Sequence, residues 1–483
     1  MVDGTGSPWC HADIGIKNGW IVSAGRTNQK ARSVISARKL TVSPGFIDVH
    51  THSERITELP GAVNFLRQGV TTVVSGNCGD SNLPVKEHLD AVEAAGPGVN
   101  YAVLAGHGAI RKQVMGMDRR PPAAKELLQM RGLVEASMKA GALGISTGLF
   151  YTPGAYADIK ELIELSKTAA CMGGVYATHA RSAGGKFFEA LKEAALIGTK
   201  ARIPVEVSHL KVLHKKGRTR KDRAAEALKA IESYRGGGID ITFDIHPYPA
   251  TFTTLHSVAI PPWVSGGGKL RERLSDKSFR KQIRGEVKSN ISWVGGPESI
   301  TVTDSELDPG MAGKTLSELA GSMDRDAVDL AMDLAASGST RAIFHALRTE
   351  DVSEIVISKN SMIASDGGIR GPAELVHPRY YGTFPRIFRE YVLEKKKIAV
   401  EEAVRKMTSF PAGKFGICDR GVLRPGMKAD IAIFDHETFR DTATFANPAS
   451  YPEGLSYVII NGKIAWDGNK VSTGRHGRVI RKI

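Results

Sequence analysis

Hydrophobic positions near the two ends of the chain recur in short runs separated by glycine and asparagine. These runs are Ile14–Trp20, Ile21–Gly25, Ala429–Phe434 and Tyr457–Trp466. Short apolar runs joined by tight-turn residues, such as the Asn-Gly pair inside the last run, are typical of β-hairpins. Because this pattern occurs only at the two ends, we expect a small discontinuous β domain made from residues 1–44 and 418–483.

The middle of the chain alternates short, mostly apolar runs with stretches of helical period. Lys186–Ile197 and Ala224–Tyr234 are the clearest helical stretches. The apolar runs are Thr71–Ser75, Tyr101–Ala105, Gly144–Ser146, Gly174–Ala177, Val205–Ser208, Ile241–Asp244 and Ser361–Ser365, with one more that ends at Val49. Alternation of strands and helices predicts an α/β fold with a parallel sheet. We expect a (β/α)8 TIM-like barrel over residues 45–417 with an insertion at about 252–305, and a doubly wound open sheet is the alternative.

Side chains that bind metals stand at the C-terminal ends of several predicted strands. They are His50, His52, Cys78, His179, His209 and Asp366. Each one alone is more typical of a core histidine or an inert buried cysteine. In a barrel, however, these strand ends share one rim, where active sites lie. Since imidazole and thiolate suit Zn²⁺ and a carboxylate can take a proton from metal-activated water, we expect a zinc centre with Asp366 as the general base.

Composition removes several other classes of function. The formal net charge of +14 comes with scattered basic residues, clustered only at Lys215–Lys221 and Lys395–Lys397 and without interleaved aromatic residues, so nucleic acid is not an expected partner. No apolar run reaches the roughly 18 residues of a membrane span, and no signal peptide is visible. The four cysteines are far apart, which favours reduced thiols. We therefore expect a cytoplasmic protein that acts on a small molecule, without a membrane partner.

Longer motifs around these residues resemble the N-acyl-D-amino-acid deacylases (D-aminoacylases) of the amidohydrolase superfamily, over nearly the whole chain. The matching runs are Pro44–His52, Gly69–Gly79, Gly106–Gly108, Gly141–Leu149, Thr178–Ser182, Ser208–Lys211, Ser365–Gly367, His377–Pro385 and Gly421–Ile431. The Asn-Cys-Gly and Ser-His-Leu-Lys segments are much more specific than the His-Thr-His pair. The resemblance implies a (β/α)8 barrel with a small β domain, and hydrolysis of an N-acyl-D-amino acid to a D-amino acid and a carboxylate.

The resemblance also assigns roles to individual residues. It implies a tight zinc site formed by Cys78, His179 and His209. It implies a weaker second site, often partly empty in the family, formed by His50, His52 and Asp366. The residues that it implies for substrate binding are Lys211, Arg379, Tyr248, Tyr151 and His107.

One departure from the family pattern, one contrast with other amidohydrolases and two alternatives accompany this interpretation. Asp244–Pro249 contains a histidine, His246, where relatives usually have Tyr-Pro-Tyr, which weakens the assignment of Tyr248 and makes packing the simpler role for His246. The fourth strand, Gly144–Gly148, lacks the lysine that bridges two metals in hydantoinase-type centres, so such a centre is disfavoured. The alternatives are an amidohydrolase that acts on a cyclic amide (dihydroorotase-like) or another small amide, and a non-catalytic metal-binding protein, which the intact set of ligands disfavours.

Overall fold

The computed structural model describes residues 1–215, 222–370 and 374–482, which form a mixed α/β fold. Its strands are β1 Asp13–Lys17, β2 Trp20–Gly25, β3 Thr41–Pro44, β4 Phe46–Asp48, β5 Thr51–His52, β6 Val70–Ser75, β7 Asn100–Val103, β8 Ala105–Gly106, β9 Gly144–Gly148, β10 Val175–His179, β11 Val205–Val207, β12 Ile241–Ile245, β13 Thr251–Thr254, β14 Ile300–Asp304, β15 Arg341–Phe344, β16 Ser361–Ile363, β17 Gly367–Gly368, β18 Ile431–Phe434, β19 Leu455–Ile460 and β20 Lys463–Trp466.

The helices fill the intervals between the strands. They are α1 Val63–Leu66, α2 Val85–Ala95, α3 His107–Met115, α4 Ala124–Lys139, α5 Ile159–Ala170, α6 Phe187–Ala201, α7 Arg223–Gly236, α8 Leu255–Ala259, α9 Leu270–Ser275, α10 Lys277–Trp293, α11 Leu316–Ser322, α12 Ala327–Ala336, α13 Thr349–Ile357, α14 Arg379–Arg386, α15 Val400–Met407 and α16 Ser409–Phe415. Short 3₁₀ segments lie at Glu54–Thr57, Gly154–Tyr156, Pro262–Gly268, Pro297–Ser299 and Pro309–Met311, and a π-helical stretch, Ile387–Glu394, continues α14.

The central strands are parallel, and most lie in a six-stranded sheet of order β16-β12-β11-β10-β9-β8. Strands β4, β6 and β7 form a second parallel sheet, and β17 pairs with β5. Every predicted strand of the middle region is present, and the two predicted helices appear as α6 and α7. In the part of the chain that the structure describes, the strands are divided among these sheets and do not form one continuous hydrogen-bonded sheet. The residues of β6, β9 and β12 are buried throughout, as is typical of parallel strands that are covered on both faces.

Strands from the two ends of the chain pair with each other. The antiparallel sheet has the order β20-β19-β18-β3, in which β3 comes from the N-terminal segment and the others come from the C-terminal segment. Asn461 and Gly462 both have positive φ, 49° and 77°, and make the tight turn between β19 and β20. The β1–β2 hairpin contacts the C-terminal segment through a bridge between Trp20 and Lys428.

A separate unit interrupts the parallel strands where the insertion is expected. Its antiparallel sheet has the order β13-β15-β14, and helices α8 to α12 pack around a hydrophobic cluster that runs from Leu255 to Phe344. The unit is therefore longer than 252–305. Apolar helices such as α12 look like barrel helices in the sequence, and the antiparallel pairing of Phe344 with Thr251 and with Ile300 assigns β15 to the unit. Within the described residues, no helix is long and apolar enough to cross a membrane.

Candidate metal centre

The six predicted ligand residues lie at the C-terminal ends of parallel strands or on the turns that follow them, with His52 and His179 as the last residues of β5 and β10. Three of them have backbone φ in the left-handed region: Cys78 at 55°, His209 at 35° and Asp366 at 50°. Such backbone is unfavourable for residues other than glycine and is concentrated at functional sites. Glycine makes room for the first of these turns, since a Cβ at Gly148 would lie 2.0 Å from the carbonyl oxygen of Cys78.

Cys78, His179 and His209 converge with the spacing of zinc ligands. The Cys78 Sγ lies 3.6 Å from His179 Nδ1 and 3.6 Å from His209 Nε2. A tetrahedral Zn²⁺ bound to sulfur at about 2.3 Å and to nitrogen at about 2.0–2.1 Å holds those two ligand atoms about 3.6 Å apart. The two imidazole rings are nearly perpendicular, at 82°, with their centroids 4.3 Å apart. The donor set and its spacing therefore fit zinc.

A second group of ligand atoms adjoins the first. Asp366 Oδ1 lies 3.3 Å from His52 Nε2 and 3.6 Å from His50 Nε2. His50 Nε2 is also 3.4 Å from Cys78 Sγ, so the thiol lies between the two groups. The backbone N–H of Asp366 donates to the carbonyl oxygen of His50 at 2.9 Å. This hydrogen bond connects the segment after β16 to the segment after β4.

The protonation states of the two groups differ. Burial, together with Lys211, lowers the pKa of His179 and His209 well below the usual value, so both rings are neutral and can offer a lone pair. Burial also lowers the pKa of His52, but hydrogen bonds to Asp366 and Cys78 outweigh it and raise that pKa to about 10. A metal that binds at His52 must therefore displace a proton from the imidazole. At the first group the two imidazoles are already neutral, and the proton to be displaced is that of the Cys78 thiol, whose pKa burial raises.

Asp366 is held as a carboxylate by two cations. Lys211 Nζ lies 3.2 Å and Arg379 Nη1 lies 3.0 Å from Asp366 Oδ2. Burial raises the pKa of Asp366, but Arg379 and Lys211 lower it well below its usual value. Both cations are themselves largely buried, with 2% of the Arg379 side chain and 11% of the Lys211 side chain exposed. Two predicted substrate-binding residues thus lie directly beside the predicted base.

The other three predicted substrate-binding residues lie at different distances from this centre. The ring of Tyr151 contacts that of His179, with centroids 4.8 Å apart. Tyr248 is fully buried, donates to the Pro378 carbonyl at 3.5 Å and has the Arg386 guanidinium over its ring. His107 is buried in an ion network, with Nε2 2.7 Å from Glu161 Oε1. Within the described residues, neither Tyr248 nor His107 hydrogen-bonds to one of the six clustered ligand residues.

Two buried carboxylates outside the predicted site residues, Asp244 and Asp48, hydrogen-bond to predicted ligand residues or to the backbone beside them. Asp244 Oδ2 lies 3.1 Å from His50 Nδ1, and its Oδ1 accepts the backbone N–H of His209 at 2.9 Å. Asp48 Oδ1 accepts the backbone N–H of Ser365 at 3.0 Å and that of His50 at 3.3 Å. Burial raises the pKa of Asp48 to about 7. Both acids stand inside apolar strand runs, and this is the signal in the sequence that could have identified them.

Residues beside the centre also line a cavity of about 330 Å³, which His179 and Lys211 both reach. A buried cluster of zinc-type ligands on the ends of parallel strands, with an ionised aspartate beside it and a cavity next to it, is the arrangement of a metal-dependent hydrolase. The sequence model described as "Amidohydrolase family" matches residues 362–465, which include Asp366.

Comparison with individual proteins narrows this class. A D-aminoacylase from Alcaligenes xylosoxydans xylosoxydans is 33% identical over 508 residues, which cover 100% of this chain and 96% of that protein. A crystal structure of D-aminoacylase, from work on one-metal activation and second-metal attenuation at its binuclear centre, has a TM-score of 0.85 at 31% identity and covers 100% of this chain and 98% of its own. The N-acyl-D-glutamate deacylase of Bordetella bronchiseptica, complexed with zinc and a phosphonate inhibitor, has a TM-score of 0.86 at 31% identity, with 99% and 97% covered. The chain belongs to the N-acyl-D-amino-acid deacylase family of amidohydrolases and is a hydrolase, so the predicted family is confirmed.

Proposed function

We propose that the protein is a zinc-dependent hydrolase that cleaves the amide bond of N-acyl-D-amino acids and releases a D-amino acid and a carboxylate. The observation that carries this proposal is the convergence of Cys78, His179 and His209 beside Asp366, which two cations flank. The full-length similarity to D-aminoacylase supports the same substrate class.

Zinc would be held tightly by Cys78, His179 and His209, and a second metal would be held more weakly by His50, His52 and Asp366. The spacing of 3.6 Å around the thiol and the neutral imidazoles support the tight site. Both imidazoles of the second site have a raised pKa, that of His52 to about 10, so protons compete with a metal there, which supports weaker binding. When bound, the metal polarises the acyl carbonyl and lowers the pKa of water.

Asp366 is the general base in this proposal. Its carboxylate takes a proton from the attacking water and later delivers it to the leaving nitrogen, so one group serves both halves of the reaction. Arg379 and Lys211, which pair with Asp366 in the structure, bind the carboxylate of the substrate; the planar guanidinium offers two parallel N–H donors. Tyr151, beside His179, contributes to the wall of the site.

We also infer that the parallel strands are arcs of one (β/α)8 barrel over residues 45–417, and that residues 1–44 and 418–483 form a small β domain. Two observations support closure of the barrel. Only Leu104 separates β7, at the edge of the three-stranded parallel sheet, from β8, at the edge of the six-stranded sheet. On the other side, β17, which follows β16, pairs with β5, which follows β4. The sheet of β3 with β18, β19 and β20 supports the discontinuous domain.

Metal removal followed by zinc addition tests the function. We expect chelated protein to be inactive and zinc to restore hydrolysis of N-acetyl-D-leucine or N-acetyl-D-glutamate, with little activity on the L-isomers. Asp366→Asn should reduce kcat by at least about 100-fold because the base is removed, whereas Asp118→Asn, an exposed change of the same kind, should not. Activity that is indifferent to metal refutes the proposal, and hydrolysis of dihydroorotate in place of N-acyl-D-amino acids favours the cyclic-amide alternative.

A further inference from the structure

The cavity beside the metal centre has an apolar wall that several segments build together. Its hydrophobic lining comes from the turns after β9 and β11, from β13, and from α8 and the end of α10. The side chains are Phe150, Leu213, Phe252, Val258, Trp293 and Val294. A volume of about 330 Å³ lies in the range of small-molecule sites, roughly 300–1,000 Å³. The inserted unit therefore supplies much of the surface that a substrate meets.

Trp293 is positioned on two consecutive glycines of the loop after β10. A Cβ at Gly184 would lie 3.2 Å from Cε3 of the indole, and one at Gly185 would lie 3.2 Å from its Cζ2. These distances are shorter than ordinary van der Waals contact, so larger residues here would push the indole away. The Gly-Gly pair therefore sets the indole as a flat wall of the cavity.

The cations that line the cavity are already paired or lie at its exposed edge. Arg181 donates to both carboxylate oxygens of Glu193, at 2.9 and 3.0 Å, and to the carbonyl oxygens of Ala155 and Ala157, at 2.9 and 3.1 Å. Lys211, which pairs with Asp366 in the structure, is assigned to the α-carboxylate of the substrate in our proposal, and Lys186 is exposed. Among the described lining residues, no buried cation is left to pair with a carboxylate inside the cavity, and an unpaired buried carboxylate is strongly disfavoured.

We propose that this cavity receives the side chain of the substrate, and that the enzyme prefers apolar D-amino acids of leucine to phenylalanine size over D-aspartate and D-glutamate. This inference rests on the proposed function. The side chain and the carboxylate of an amino acid share one carbon, so a side chain that leaves this carbon beside Lys211, a carboxylate-binding residue in our proposal, can enter the cavity that Lys211 lines together with His179. The apolar wall then stabilises a hydrophobic side chain by removing its surface from water.

A panel of N-acetyl-D-amino acids tests the preference with the zinc-loaded protein. We expect kcat/KM for the leucine, methionine and phenylalanine derivatives to exceed that for the glutamate and aspartate derivatives by at least about tenfold. Equal or faster hydrolysis of the acidic substrates overturns this inference and leaves the deacylase function intact. Hydrolysis of none of these substrates refutes the proposed function itself.

Variants of the wall test where the side chain lies. Trp293→Ala should lower kcat/KM for N-acetyl-D-phenylalanine by about tenfold or more, with a smaller loss for N-acetyl-D-alanine. Trp263→Ala is the matched control, because Trp263 packs against Phe279 in the same unit and does not line the cavity. Val258→Arg should raise the activity on N-acetyl-D-glutamate relative to N-acetyl-D-leucine. If the loss in Trp293→Ala grows with acyl length (acetyl to hexanoyl) and not with side-chain size, the cavity holds the acyl group and the inference is wrong.

Discussion

Asp244→Asn tests whether a residue that is not a predicted metal ligand affects zinc binding by positioning the ligands. Asp244 is not one of the six predicted metal ligands, yet its two oxygens lie 3.1 Å from His50 Nδ1 and 2.9 Å from the backbone nitrogen of His209. A carboxylate accepts both hydrogens. An asparagine of the same shape has only one acceptor oxygen, so it cannot accept from both donors.

Either orientation of the new amide disturbs one ligand. If its oxygen stays with the His209 N–H, the amide NH₂ faces His50 Nδ1; that nitrogen must then accept, and the proton moves to Nε2, the atom that faces the cluster. If the amide is flipped, two donors meet at His209. Loss of such supporting contacts typically lowers metal affinity by about 10- to 100-fold, which corresponds to about 1.4–2.7 kcal/mol.

The assay is zinc titration against a competing chelator, with kcat/KM measured at saturating zinc. We expect the weaker site, which contains His50, to lose affinity by that factor, and the tight site to lose less. Asp240→Asn is the matched control, because Asp240 directly precedes the same strand, β12, and pairs with Lys414 outside the cluster. Zinc affinities within twofold of the wild type at both sites would refute the role assigned to Asp244.

Three further variants probe the ligand, the substrate grip and a buried acid. Cys78→Ser should weaken the tight zinc site by about 100-fold or more, because a hydroxyl is a poor zinc ligand, while Cys171→Ser at an exposed cysteine should not; equal affinity would exclude thiolate ligation. Arg379→Lys should raise KM for N-acetyl-D-leucine by about tenfold, because an ammonium group cannot offer two parallel N–H donors to the substrate carboxylate as a guanidinium does. Arg386→Lys, the control, should leave KM unchanged. An unchanged KM in Arg379→Lys would contradict carboxylate binding by Arg379. Burial raises the pKa of Asp48 from 3.8 to about 7, so the folded state binds the Asp48 proton more tightly than the unfolded chain. The contribution of this proton to the free energy of unfolding is lost as the pH rises from about 4 to about 7. Denaturant unfolding of the metal-free protein should show Asp48→Asn gaining up to about 4 kcal/mol on the wild type across that interval, and a constant difference would disprove the assignment.

Much of the candidate metal centre could be predicted from the sequence, because the pattern of residues shows which polar side chains stand at the ends of apolar strands. The structure brings the six predicted ligand residues together into groups whose ligand atoms lie within 4.8 Å of one another. Lys211 and Arg379, which the resemblance implies for substrate binding, lie beside Asp366. The hairpins at the two ends could be predicted because their turns are encoded locally, as at Asn461 and Gly462.

Long-range pairing explains what the sequence did not show. The inserted unit extends to β15 because Phe344 pairs with Thr251, nearly a hundred residues away, and no local pattern reports that pairing. The backbone at Cys78 and His209 has positive φ without a glycine at either position, so the usual signal for such a turn is missing. Asp244 and Asp48 are embedded in apolar strands, where an acid is compatible with burial only if tertiary contacts supply its partners.

The pairing of Asp366 with Arg379 and Lys211 has a consequence for how the base would work. In the free protein, both cations contact Oδ2 and lower the pKa of Asp366, which keeps it ionised but makes it a weak base. A substrate carboxylate that binds these cations would neutralise part of their charge, so the pKa of Asp366 should rise in the complex, when the carboxylate must accept a proton. Because activity needs the ionised base, it is lost as the pH falls through this pKa. The acidic limb of kcat, which reports the complex, should therefore lie at higher pH than that of kcat/KM, which reports the free enzyme. Coincident limbs in a pH–rate profile of the zinc-loaded protein would show that the substrate does not draw the cations away from Asp366.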